Sequence, residues 1–356
     1  MYKRPVIGFF EDQVSTFWKS LGFLKPLCFY PFEGLSLVEK LAENTESKKL
    51  ALFMRPALKD VFLKIYSKTV LKWLIGETYL SEILVNPLNL QEDLILLNSR
   101  LRVSAAEKIL NVLEDTRGNN ILLTPRLDIV ALRVGKNISR YLTRFLQGRI
   151  HIELLLPFRD LLVEEIVPDE DVLLDEKNLN IPYTFQKNVE QLTIKGKHVE
   201  TVGKFSIKGR VLLREKCIIK DSVIENSTIG YGSSIENSVI KDSIIGDYVE
   251  IKDSVLEKTI VGDFSFINRC VFSRPRISVR GLLPSYGSIN IVGEACEVES
   301  SKMYYIHLVA TESVGNLRGV YCPSSKVKGS LLHLKRRLKA MGADVSVRNL
   351  TRIFRL

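Results

Sequence analysis

Residues that hold metals or staple small folds are scarce in this chain. The five cysteines, Cys28, Cys217, Cys270, Cys296 and Cys322, are odd in number, widely spaced and without a C-x-x-C. This argues against both a disulfide framework and a zinc site. The four histidines, His151, His198, His307 and His333, are too few for a His-rich metal centre. No run is long and apolar enough to span a bilayer, and the opening MYKRPVIGFFEDQ has neither the apolar stretch nor the cleavage site of a signal peptide. The expectation is a cytoplasmic protein that does not enter a membrane. With 356 residues, 46% hydrophobic and 26% charged, the composition is that of a globular chain of two or three domains.

Acidic residues are nearly missing from the C-terminal end. From residue 300 onward eleven basic residues face only Glu312 and Asp344, so most of the net charge of +10 lies there. Such a tail can contact nucleic acid, an acidic partner or a phosphorylated ligand, or it can be the solvated face of a helix.

What is abundant is repetition. Ile219, Ile224, Ile229, Ile235, Ile240, Ile245, Ile251, Leu256, Val261, Ile267 and Phe272 follow one another in steps of 5, 5 and 6, a period of 16. Three short strands per turn, each returning an aliphatic residue to the same place, predict a left-handed parallel β-helix of hexapeptide type with 16-residue coils. Two residues ahead of the beats come the small Ser222, Ser238, Ser254 and Cys270, and Ser227, Ser243 and Thr259, which suit a narrow core. Gly230, Gly246 and Gly262 recur after the third beat, where a corner needs positive φ or close approach. Lys220, Glu236 and Lys252 form one column of alternating sign, and Glu225, Lys241 and Glu257 another. Alternating columns attract across a strand spacing of about 4.8 Å.

Residues just before the beats face outward. Val223, Val239, Val255 and Val271 make one apolar ladder, and Thr228, Ile244 and Ile260 a second; the third face carries Ser234, Glu250 and Phe266. Two apolar faces require cover, from another domain or from a second subunit of a homo- or hetero-oligomer. The rhythm breaks after Phe272 and resumes at Val292, Val298, Met303, Leu308, Val314 and Val320. This reads as a β-helix over 201–322 with a loop extruded at 278–291. Leu331, Leu334, Leu338 and Met341 share one helical face before Gly342, which predicts a capping helix in a basic segment, 323–356.

Ahead of the repeat, strand-like runs at 5–10, 49–53, 93–97, 120–123 and 128–134 alternate with helical stretches at 35–42, 58–74 and 105–113. That alternation predicts an α/β domain over 1–165 with a Rossmann-like open sheet, whose ligands bind at the carboxyl ends of the strands. An acid-rich stretch from Glu164 to Glu176 opens a linker over 166–200.

An α/β domain followed by such a repeat resembles the sugar-phosphate nucleotidyltransferase superfamily, which includes the bifunctional N-acetylglucosamine-1-phosphate uridyltransferases and the ADP-glucose pyrophosphorylases. Active members open with a strand, a glycine-rich phosphate loop carrying an arginine, a Pro-Leu and a Pro-Lys; a later Gly-Asp holds a divalent metal. Here the strand at 6–10 runs into Glu11-Asp12-Gln13-Val14-Ser15-Thr16, which contains no glycine. Lys25-Pro26-Leu27 fits the Pro-Leu step, but Phe32 follows Pro31 where the lysine belongs. The stretch from Leu35 to Leu41 fits the next helix, and the strand near Leu97 ends in Asn98-Ser99-Arg100, an amide in place of the carboxylate. The chain is therefore similar to a divergent, glycine-poor branch of that superfamily.

Nucleotidyl transfer needs backbone N–H groups around the triphosphate, cations against the developing charge, and a carboxylate-held Mg²⁺. The candidates left to supply them are Asp12, Lys25 and Arg100 for catalysis, and Glu11, Asp12, Asn98 and Arg100 for binding a nucleotide or sugar phosphate. The resemblance with these losses implies a nucleotidyltransferase-like protein that binds such a ligand, or regulates or scaffolds a partner. One alternative is an active transferase with rearranged residues. Another is an acyltransferase, which uses a histidine base between coils; no histidine lies between His198 and His307, which leaves His307 as its candidate.

Overall fold

The computed structural model describes residues 5–12, 25–32, 35–44, 49–66, 82–116, 118–145, 152–169, 172–174, 193–272, 289–292, 297–305, 317–320, 335, 336 and 339. Among them, no helix is long and apolar enough to cross a membrane.

The N-terminal part is built on strands β1 (Val6–Phe10), β2 (Lys49–Phe53), β3 (Glu82–Val85), β4 (Leu94–Asn98), β5 (Asn120–Leu123), β6 (Ile129–Val134) and β7 (Val163–Ile166). They form one mixed sheet in the order β3-β2-β1-β4-β6-β5-β7. β1 runs parallel to β2 and β4, whereas β6 is antiparallel to both β4 and β5. β1 and β4 are buried along their whole length because helices cover both faces of the sheet, which is why they read as continuous apolar runs. One face packs Ile7, Phe9, Leu52, Ile95 and Leu97 against helices α1 (Leu37–Asn44), α2 (Pro56–Ile65) and α3 (Val103–Asp115). The other packs Val6, Phe10, Leu94 and Leu96 with Ile138 and Leu142 of α4 (Lys136–Phe145).

Helix boundaries follow local chemistry. Ahead of α1, Ser36 and Glu39 form a capping box: the Ser36 amide donates to Glu39 Oε2 at 2.8 Å, and the Glu39 amide donates to Ser36 Oγ at 3.2 Å. α2 begins on Pro56, which fixes φ where no N–H is needed. α3 buries Ala106, Ile109, Leu110 and Leu113, one helical stripe.

The C-terminal part is a run of short parallel strands in curled sheets, an arrangement compatible with a β-helix. Between Val211 and Phe272 each strand pairs with its counterpart sixteen residues on: Val223 with Val239, Ile224 with Ile240, Ile235 with Ile251, Ile245 with Val261. Ile219, Ile224, Ile229, Ile235, Ile240, Ile245, Ile251 and Ile267 are buried in one core. The serine columns have a specific role there. Ser222 Oγ donates to the Lys220 carbonyl at 2.6 Å and accepts the Ser238 amide at 3.1 Å; Ser238 Oγ accepts the Ser254 amide at 3.0 Å. Each hydroxyl satisfies a corner N–H that no ladder reaches. Gly230 and Gly246 are required by close approach rather than by positive φ, since a Cβ on Gly230 would meet the Gly246 carbonyl and one on Gly246 would meet Asp263.

Both ends of the stretch expected as a linker over 166–200 carry ordered structure. β7 closes one edge of the N-terminal sheet against β5, and Leu173 bridges Leu101. Thr193–Lys195 and Glu200–Val202 already pair with Val211–Leu213 and Ile218–Lys220. At the far end, Ile289–Val292 pairs with Thr259–Val261 and with Leu317–Val320. Residues 289–291, expected in an extruded loop, thus lie in a strand, as the β-branched Ile289, Ile291 and Val292 favour. Residues 273–288, and the expected cap over 330–341 apart from helical positions 335, 336 and 339, lie outside the described residues.

Candidate functional site

Strand order reverses between β1 and β4, and a crevice at the carboxyl ends of such a pair is where open α/β sheets take ligands. The structure brings four of the expected residues together there. Glu11 and Asp12 leave β1, Asn98 ends β4, Arg100 follows it, and all four are buried.

They are occupied with one another. Arg100 clamps the Asp12 carboxylate, with Nη2 2.6 Å from Oδ2 and Nε 3.1 Å from Oδ1. Asn98 Nδ2 donates to Asp12 Oδ2 at 2.8 Å, and Asn98 Oδ1 accepts the Arg100 amide at 2.9 Å. Glu11 Oε2 lies 3.2 Å from Arg55 Nε, both buried. A divalent cation does not fit this donor set, because each carboxylate already faces a guanidinium. Among the described residues no group of three or more His, Cys, Asp or Glu side chains is placed to hold a metal.

Residues 172–174 run as a strap against residues 100–102. Val172, Leu173 and Leu174 are buried. The Arg102 amide donates to the Val172 carbonyl at 3.0 Å and the Leu174 amide to the Arg100 carbonyl at 2.7 Å. Arg100 Nη1 donates to the Leu174 carbonyl at 2.8 Å. The guanidinium is therefore held by Asp12 on one side and by the chain's own backbone on the other.

Lys25 is employed elsewhere. Its ammonium lies 2.6 Å from Asp247 Oδ2 and 3.0 Å from Asp263 Oδ1, two aspartates of the coil stack, and 4.4 Å from the centre of the Tyr30 ring. Tyr66 donates to Asp263 Oδ2 at 2.6 Å. Lys25, Tyr66, Asp247 and Asp263 are all buried. Burial pulls the Lys25 ammonium down, but Asp247 and Asp263 outweigh it and leave the group above its ordinary value. Burial pushes Asp263 up to about 6, against the pull of Lys25 and with a further push from Asp247. Burial and the same two carboxylates raise the Tyr66 phenol well above its usual range. Nearby, Arg214 pairs with Glu39, so the capping box of α1 is also a contact with the stack. Tyr231 and Phe264 join the core of the N-terminal part, with Tyr248 stacked on Phe264 at 5.0 Å. Lys25, Phe29, Glu39, Arg214 and Asp247 line a cavity between the two parts with room for little more than a water molecule, about 10 Å³.

Asp247 and Asp263 were not among the residues singled out from sequence. Their signal is a Gly-Asp at 246–247 and at 262–263, sixteen apart, where the preceding coil has Gly230-Tyr231. An acid recurring at a corner that packs on a second domain is a candidate for an inter-domain ion pair. His307 and the basic residues at 348–355 lie outside the described residues.

The face of Thr228, Ile244 and Ile260, expected to need cover, is buried within this chain. The ladder of Val223, Val239, Val255 and Val271 stays half-buried.

No protein-family model and no curated protein matches this chain.

Proposed function

We propose that this chain is a nucleotidyltransferase-like protein with a left-handed, hexapeptide-type β-helix, acting as a non-catalytic scaffolding or regulatory subunit in the cytoplasm. The observation that carries the reading is the pairing of Arg100 with Asp12 beside the strap. A transferase site needs free cations and backbone N–H groups for a triphosphate. Here the guanidinium is neutralised in place, and the lysine is committed to the coil stack. The 5-5-6 rhythm supports the β-helix type. Among the described residues, the buried thiols Cys28, Cys217 and Cys270 suit a reducing compartment. The test is pyrophosphate release from nucleoside triphosphates with sugar 1-phosphates and Mg²⁺. The proposal expects none above background, and release that disappears in Asp12→Ala would overturn it.

A further inference from the structure

Two columns on one face of the coil stack combine an apolar ladder with charges that alternate from coil to coil. Within the chain Lys241 Nζ lies 3.3 Å from Glu225 Oε2, and the same alternation makes the face complementary to a reversed copy of itself. Ser206, Val223, Val239, Val255 and Val271 are in register on consecutive coils, and beside them run Lys208, Glu225, Lys241 and Glu257. Lys208 is exposed, and Val223, Val239, Val255, Val271, Glu225, Lys241 and Glu257 are half-buried. The charges alternate over an even number of coils, so reversing the column turns every sign into its opposite.

That is the condition for a self-complementary contact. In an isologous pair, each residue meets its counterpart across a two-fold axis. Place the axis along the strand direction, between the coils of Glu225 and Lys241. The valine ladder then lies on its own reversed copy, with Val223 over Val239 of the second molecule. Glu225 faces Lys241 of the second molecule, and Lys208 faces its Glu257. All four charges meet the opposite sign, around an apolar centre that water leaves.

The other faces do not meet this condition. Thr228, Ile244 and Ile260 are already buried. On the remaining face the register runs Val202, Lys220, Glu236, Lys252, Asn268. Its three charges leave one unmatched however the column is reversed, and the apolar positions beside it are interrupted by Ser234 and Glu250.

We infer that the Val223–Val271 face binds a second copy of this chain, forming a two-fold dimer with antiparallel coil stacks. This gives the scaffold reading a partner and rests on it only in that sense, since association is read by mass and not by nucleotide turnover; either can fail alone. The experiment is sedimentation of the full chain at low and high salt, with two charge-edited forms. E225K/E257K makes the column wholly basic, and K208E/K241E makes it wholly acidic. The inference expects a wild-type dimer weakened by salt, each edited form monomeric alone, and dimers of twice the mass when the two are mixed. Val239→Asp, an outward substitution, should dissociate the wild-type dimer while the circular dichroism spectrum stays that of the folded protein. A monomeric wild type, dimers in each edited form alone, or a mixture that stays monomeric would overturn it.

Discussion

The Lys25 ammonium sits 2.6 Å from the Asp247 carboxylate, 222 positions further along the chain, and neither side chain is open to solvent. A lysine that sequence places beside a would-be phosphate site thus fastens the α/β part to the coil stack. Asp263 adds a second carboxylate to the same cation. The cluster holds two acids for one ammonium, and its properties follow from that imbalance.

Lys25→Met removes the cation and leaves Asp247 and Asp263 buried without it. Breaking a buried pair from one side costs roughly 3–5 kcal/mol. Urea unfolding should show a loss of that order, with most of it recovered in Lys25→Met/Asp247→Asn/Asp263→Asn. A loss under about 1 kcal/mol, the range of an exposed pair, would show that the cluster does not hold the two parts together.

Asp263 gives the fold a pH dependence of defined sign. Its folded value, about 6, lies above that of a free aspartate. The folded protein therefore keeps this proton longer than the unfolded chain does. The contribution is complete below about pH 4 and is lost as pH rises through 6. Unfolding free energy from this group should fall between pH 4 and 7 and then level. Asp263→Asn should flatten that part of the profile. Tyr66→Phe, which removes a donor to the carboxylate, should move it to higher pH. An unchanged slope in Asp263→Asn would remove the assignment.

Arg100 and Asp12 should behave as one unit. Arg100→Met and Asp12→Asn alone each leave a buried group without its partner, whereas the double variant removes both. A double-mutant cycle should show coupling of about 1–3 kcal/mol. Leu173→Ala in the strap should cost about 2–4 kcal/mol, because a buried leucine is truncated. Additive effects of Arg100→Met and Asp12→Asn would mean that the clamp is not formed in solution.

Gly230→Ala should be among the most damaging small changes in the coil stack. The new methyl would run into the Gly246 carbonyl, a backbone atom that cannot swing aside. Overpacking of this kind costs about 1–3 kcal/mol. Thermal unfolding against the wild type would measure it; a loss under about 1 kcal/mol would contradict the close-approach reading.

The coil stack was legible in sequence because its period is fixed by geometry: each coil repeats one backbone path, so Ile219, Ile235, Ile251 and Ile267 must fall in step. β1, β2, β4, β5 and β6 were legible because buried strands are apolar runs. β7 was not, since Val163-Glu164-Glu165-Ile166 is an exposed edge whose composition is that of a linker. The crevice was half legible. Glu11, Asp12, Asn98 and Arg100 stand where the resemblance puts a phosphate loop and a metal-holding Gly-Asp, but that they neutralise one another is a fact of side-chain direction, which no spacing encodes. The grouping of Lys25 with Asp247 and Asp263 was least accessible, because it joins positions more than two hundred residues apart through packing of two separate parts.

Titration calorimetry with Mg²⁺-nucleoside triphosphates tests the central claim most directly, since it reads the crevice whether or not chemistry follows. The account predicts no saturable heat in the wild-type protein, because Arg100 is held by Asp12 and Leu174 and Lys25 by two aspartates. Saturable binding that is lost on Arg100→Ala would contradict it.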